Sequence, residues 1–173
     1  MSNRLCRVSL VVVALLCARG ASAQSPAMDG IRTEWAAIKT AVMGAANKTP
    51  DTLYGFQPTP DVYTLRKMLL HIADASYSLC AGFQGTPGQR PKINADAAAP
   101  KAEVLQTLTA AFAFCDTGFA AATDASLGES VALPNGQKRV KSYYAAHQLA
   151  HTNLHYGNVV TYMRLNKLSP GEQ

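Results

Sequence analysis

Charged residues make up only 16% of this 173-residue chain, while 48% are hydrophobic. Its mean hydropathy is −0.02. A chain this apolar can bury enough surface to offset the entropy of ordering, which excludes an intrinsically disordered protein. Long apolar runs are missing too. The strongest, Val8 to Cys17, is about half the roughly 20 residues that a membrane-spanning helix needs. No G-x-S-x-G, phosphate-binding glycine loop or dinucleotide fingerprint occurs, so serine-hydrolase, nucleotide and NAD chemistries have no support. The length is that of one domain with one core.

The first residues do not belong to that core. Arg4 and Arg7 precede the Val8–Cys17 run, and Ala21-Ser22-Ala23 follows it. A basic start, a short apolar stretch and a small-residue cleavage site make a secretory leader over residues 1–23. Leu16 is bulkier than a lipid-attachment site at Cys17 wants. The expectation is an exported protein, periplasmic or secreted, with no transmembrane anchor after cleavage and a domain over residues 24–173. The formal charge of +5 loses Arg4, Arg7 and Arg19 with the leader, leaving 13 basic against 11 acidic residues. The densest basic run, Lys138-Arg139-Lys141, reads as a solvated turn rather than a phosphate footprint, so nucleic-acid binding loses its main support.

Cys6 and Cys17 also leave, so Cys80 and Cys115 remain. Two cysteines in an exported chain suggest a disulfide, the alternative being two separate buried thiols.

What is present is helical. Apolar residues recur at helical spacing in four segments bounded by Pro and Gly. The first runs from Pro26 to Lys48 with Ile31, Trp35, Ile38 and Val42 on one face. The second runs from Thr59-Pro60 to Phe83 with Leu65, Leu69, Ile72, Leu79 and Phe83. The third runs from Pro100 to Ala122 with Val104, Leu105, Leu108, Phe112 and Phe119. The fourth runs from Val140 to Lys167. Asn135-Gly136, inside Val131 to Val140, marks a tight turn suited to a small hairpin. An all-α four-helix bundle is the expected fold.

Gln84 to Ala99 is long for a simple hairpin connection. Sixteen extended residues reach roughly 50 Å, and a 24-residue helix is only about 36 Å long. The linker can therefore return along the bundle and leave helices two and three parallel. A Cys80–Cys115 bond fits only that arrangement, because antiparallel helices would offset the two by roughly 15–20 Å.

The four histidines carry the chemistry. His147, His151 and His155 follow one another at i, i+4, sharing a stripe with Tyr144, Asn158, Tyr162 and Leu165 that reads as inward-facing. Buried imidazoles are costly unless hydrogen-bonded or bound to metal. An i, i+4 pair suits one metal ion, and a third ligand would have to come from elsewhere; His71 is the remaining histidine. Taken singly, each histidine reads as readily as a satisfied core or boundary residue. His147 reads better as a non-ligand. Asp74, three residues after His71, could orient it or a water, though a surface acid is the simpler reading. Tyr77, Tyr144 and Tyr162 line a pocket or pack the core equally well.

These residues resemble a known family. His151-Thr-Asn-Leu-His155-Tyr-Gly-Asn158, then Thr161-Tyr-Met-Arg164-Leu, is similar to the closing signature of the DinB-like family. Phe56-Gln-Pro-Thr-Pro60 through Leu70-His71-Ile-Ala-Asp74-Ala-Ser-Tyr77 resembles the start of that family's second helix and its first metal histidine. The resemblance spans the mature chain. It implies a crossover four-helix bundle and a divalent metal (Zn, Ni or Fe) on His71, His151 and His155, with Asn158 next to the ligands; His147 and Asp74 are candidate neighbours on the reading of the residues alone. Met163 stands where the family more often has Leu, and Asn158 where Gln is commoner.

Characterised relatives include thiol-dependent transferases and isomerases, and membership alone does not select a reaction. Two functional expectations follow. One is a metal-dependent hydrolase or thiol-type transferase acting on a small molecule, export weighing against the thiol form because the usual thiol cosubstrates are cytosolic. The other is a non-catalytic exported binder of metal or ligand. Whether two copies pair is left open. Free-imidazole behaviour predicts metal affinity falling below about pH 6.5.

Overall fold

The computed structural model describes residues 25–170; the proposed leader lies outside them. Four helices form the body: α1 (Pro26–Lys48), α2 (Leu65–Phe83), α3 (Lys101–Ala121) and α4 (Lys141–Leu165). Each of α3 and α4 packs against both α1 and α2. The ring order is therefore α1–α3–α2–α4, an all-α bundle as expected.

The ends of the helices follow local chemistry. Pro26 opens α1, where its missing N–H is no loss. The structure corrects the start of α2. The sequence places it at Thr59-Pro60, but the helix begins at Leu65, with the Thr64 hydroxyl accepting from the Lys67 amide. The cause lies in the loop that precedes it. The Gln57 carboxamide donates to the Pro60 and Val62 carbonyls, which a longer helix would need as its own acceptors. The Leu65 and Arg66 amides are meanwhile satisfied by the Phe56 and Tyr54 carbonyls.

Contacts between α2 and α3 advance in the same sense. Tyr77 meets Phe114, Cys80 is bonded to Cys115, and Phe83 meets Phe119. The two helices are thus parallel, and residues 84–100 return along the bundle. Asp74 on α2 holds that return strand. Its carboxylate accepts from the Arg90 guanidinium and the Ile93 amide. Lys67, one turn before His71, pairs with Asp96 farther along the same segment.

The core is built from Trp35, Ile38 and Val42 of α1, Leu65, Leu69 and Ile72 of α2, Leu108, Phe112 and Phe119 of α3, and Tyr156, Val159 and Met163 of α4. Trp35 meets Phe112 and Phe119 edge-on and donates its indole N–H to Asp116. By length and composition alone α3 could cross a membrane; its Val104–Leu108–Phe112–Cys115–Phe119 stripe is instead buried in the bundle.

A small antiparallel hairpin, β1 (Ser130–Ala132) and β2 (Lys138–Val140), pairs Val131 with Arg139. Gly136 takes φ +80° in its turn, the left-handed conformation that glycine adopts without strain.

Candidate metal centre

α2 and α4 run antiparallel, and their register assembles the site. Tyr63 meets Tyr162, His71 meets His151 and His155, Ser76 meets Gln148, and Gly82 meets Tyr144. Each contact steps down one helix as it steps up the other. Gly82 lies in close approach to α4. A Cβ there would fall 2.2 Å from the Tyr144 ring, so only glycine lets the helices meet at that end.

The fourth helix departs from expectation in its facing. Its buried face is Ala145, Gln148, Thr152, Tyr156, Val159 and Met163. His151 and His155 stand beside that face, half-buried, rather than at its centre. Tyr144 and Tyr162 are buried, whereas Leu165 is exposed. Gln148 and Thr152 are the buried polar pair that the pattern conceals: the Gln148 amide donates to the Ser76 and Thr152 hydroxyls. This ladder ties α4 to α2 one turn from the histidines. Its only sequence signal is that 145, 148, 152, 156, 159 and 163 keep an inward 3–4 spacing.

Three imidazoles converge at the edge. One nitrogen from each of His71, His151 and His155 lies within 4.8 Å of the others. The Nε2 atoms of His151 and His155 are 3.2 Å apart. Two nitrogens bound to one tetrahedral ion at 2.0–2.1 Å would be about 3.3 Å apart. The pair therefore has the spacing of two ligands of one ion, and the donor set is one that Zn, Ni or Fe accepts.

Electrostatics agrees. Burial, then the neighbouring His155, His71 and His147, lowers the pKa of His151 to about 4. Burial, then His71, lowers that of His155. Both are neutral at pH 7 and present lone pairs, as ligands must. The expected loss of affinity below pH 6.5 accordingly moves to lower pH where these two rings decide it.

The surrounding residues sort by contact. The Asn158 carboxamide lies 3.4 Å from His155 Nδ1. The atom at that distance is the amide Nδ2; with Nε2 as ligand Nδ1 carries the proton, and Asn158 accepts it only with its carboxamide turned over to present the oxygen. Tyr63, which no sequence pattern marks, packs edge-on against His71 and lies beneath the Lys67 ammonium. His147 stays outside the trio. It is exposed, its Nδ1 is 3.1 Å from the Tyr143 hydroxyl, and its ring centre is 6.0 Å from that of His151. Asp74 is engaged by Arg90 and the Ile93 amide, so the structure shows it fastening the crossover and gives no contact to His71. Tyr77 packs on Phe114.

A cavity of about 820 Å³ lies elsewhere, between α1 and α4 beside Ala37, Ala41, Gly44 and Tyr156. Among the described residues the trio is the only group of three or more metal-ligating side chains so arranged.

Residues 34–159 match the family model of the DinB superfamily, and the chain belongs to that superfamily. A crystal structure of a DinB-like protein from Bacillus cereus ATCC 10987 is similar in fold. It shows a TM-score of 0.69 and 16% identity, over 84% of this chain and 96% of that one. A variant of the mycothiol-dependent maleylpyruvate isomerase is also similar, with a TM-score of 0.61 and 9% identity, over 76% of this chain and 60% of that one. No curated protein matches.

Proposed function

We propose that this is an exported DinB-like protein that holds one divalent metal ion on His71, His151 and His155 and uses it for thiol-type transfer or hydrolysis on a small molecule. The observation that carries the reading is the convergence of three imidazoles, two of them with depressed proton affinity, at an open edge of the bundle. A divalent ion on three neutral ligands keeps its full charge and supplies Lewis-acid chemistry, lowering the pKa of a water or thiol and polarising a carbonyl. The chain contributes the rest: α2 and α4 fix the rings, Asn158 orients His155, and Tyr63 backs His71. The fold shared with a mycothiol-dependent isomerase supports the thiol form. The Cys80–Cys115 bond supports export, since disulfides persist in oxidising compartments.

One observation favours the non-catalytic reading. The carboxylate nearest His71 in sequence, Asp74, is held by Arg90, which leaves no evident general base. The test is turnover. Zinc-, nickel- and iron-loaded protein is assayed with a small thiol plus an electrophile, and with activated esters. The proposal expects metal-dependent turnover that His151→Ala abolishes. Full metal occupancy with no turnover of either class replaces it with the binder.

A further inference from the structure

Aromatic residues aside, four polar side chains are buried among the described residues: Thr49, Ser76, Gln148 and Thr152. Thr49 returns its hydroxyl to its own helix, at the Ala45 carbonyl. The other three meet between α2 and α4, where the Gln148 carboxamide nitrogen donates to the Ser76 hydroxyl at 2.9 Å and the Thr152 hydroxyl at 3.1 Å. The Gln148 oxygen has no partner among the described residues. Burying an amide is unfavourable, and leaving its oxygen unpaired adds to the cost. An apolar residue of similar shape would hold the two helices together about as well, so stability alone does not account for a glutamine here.

Its place between the helices does. Contacts of α2 with α4 run in the order Gly82–Tyr144, Ser76–Gln148, His71–His151 and Tyr63–Tyr162. The Ser76–Gln148 contact is thus the one beside the trio on the side of the disulfide. α2 is itself pinned there, because Cys80, one turn beyond Ser76, is bonded to Cys115 of α3. Apolar surfaces repack and lose uniqueness before they lose stability. A directed hydrogen bond is made in one register only, and fixing register is the best-attested use of a polar residue buried between helices. The trio needs that precision. Its three donor nitrogens lie within 4.8 Å of one another, and a slip of one turn, about 5.4 Å, would part His71 from the pair on α4.

We propose that Gln148 is a positioning residue, whose two hydrogen bonds set the register of α4 on α2 that carries His71 to His151 and His155. The consequence for metal binding rests on the three-histidine reading above; the register itself does not. Gln148 therefore contributes selection of one arrangement, felt in metal affinity rather than in the stability of the fold.

Gln148→Met keeps an unbranched stem in the same space and removes both hydrogen bonds. Ser76 and Thr152 can then turn their hydroxyls to carbonyls of their own helices. The probe is cobalt, titrated against a competing chelator and followed by its absorption spectrum, beside urea unfolding of the metal-free protein. Gln148→Met should unfold at or above the wild-type midpoint, yet bind cobalt about 10–100-fold more weakly, as when groups that orient ligands are removed. Its cobalt spectrum should change as well. Val42→Ala, a truncation at a fully buried site on α1, should do the reverse, lowering the midpoint and leaving cobalt affinity unchanged. Ser76→Ala removes only the partner on α2 and should weaken cobalt binding in the same sense, which keeps the test open if Gln148→Met fails to fold. Wild-type cobalt affinity and spectrum in these two variants overturn the proposal and leave the metal site standing. A loss of affinity matched by an equal loss of stability, as for a residue that only packs, overturns it too. If the wild type takes up no cobalt, the metal reading falls and the register is judged on the metal-free protein by NMR. Ring-to-ring contacts between His71 and His155 should then be present in the wild type and lost in Gln148→Met; their survival in the variant overturns the proposal.

Discussion

Reducing the Cys80–Cys115 bond is the perturbation whose size the structure states best. Both cysteines are buried, and the bond joins α2 to α3 across a separation of 35 residues that contains the whole crossover. In the chain-entropy account, closing a loop of that length removes about 4 kcal/mol of freedom from the unfolded chain. A domain of about 150 residues unfolds with an entropy near 0.3 kcal/mol per degree, so the loss should lower the melting temperature by about 10–13 °C. Total stability of a domain is about 5–15 kcal/mol, so the reduced protein should still fold but unfold at much lower denaturant. The assay is thermal and urea unfolding of oxidised and fully reduced protein, with thiol titration to confirm two free sulfhydryls. A shift under 3 °C with both thiols free would refute the reasoning, because the crossover would then be held by its other contacts. Mass spectrometry showing free thiols in the native, unreduced protein would remove the bond itself.

Two further outcomes follow from the site's surroundings. Gly82→Ala places a methyl 2.2 Å from the Tyr144 ring, and the strain of overpacking should destabilise the protein by about 1–3 kcal/mol despite alanine's better helix propensity; equal or higher stability in urea unfolding would contradict the close packing of α2 on α4. His151 of the metal-free protein should titrate by NMR near 4 rather than the ordinary 6.5. A cationic form disfavoured by folding means that the unfolded chain binds more protons between those values. Stability should therefore be full above pH 6.5 and fall as the pH drops toward 4; a midpoint at or above 6.5 would refute the burial argument.

What was legible in the sequence was whatever is decided locally. The bounds of α1 could be read because Pro26 opens it and Pro50 lies just beyond its end. The start of α2 could not, because its first amides, Leu65 and Arg66, are taken by the Phe56 and Tyr54 carbonyls of a loop that folds back on the helix, while Gln57 captures the Pro60 and Val62 carbonyls. The i, i+4 spacing of His151 and His155 carried their pairing, but nothing local fixed where His71 meets them. That required the antiparallel register of α2 on α4. The facing of α4 was misread because Gln148 and Thr152 are polar yet buried, satisfied by a serine 72 residues away from Gln148 in the chain. Asp74 looked available to His71 because its partner, Arg90, arrives only through the crossover.

The most direct test of the central claim is metal stoichiometry. Protein purified without chelator and reconstituted with Zn, Ni, Fe or Co should hold one ion per chain by elemental analysis. His151→Ala should abolish that binding and His147→Ala should largely spare it, because only His151 lies within the convergent trio. Less than a tenth of an equivalent in the wild type, or loss of binding in His147→Ala with retention in His151→Ala, would contradict the account.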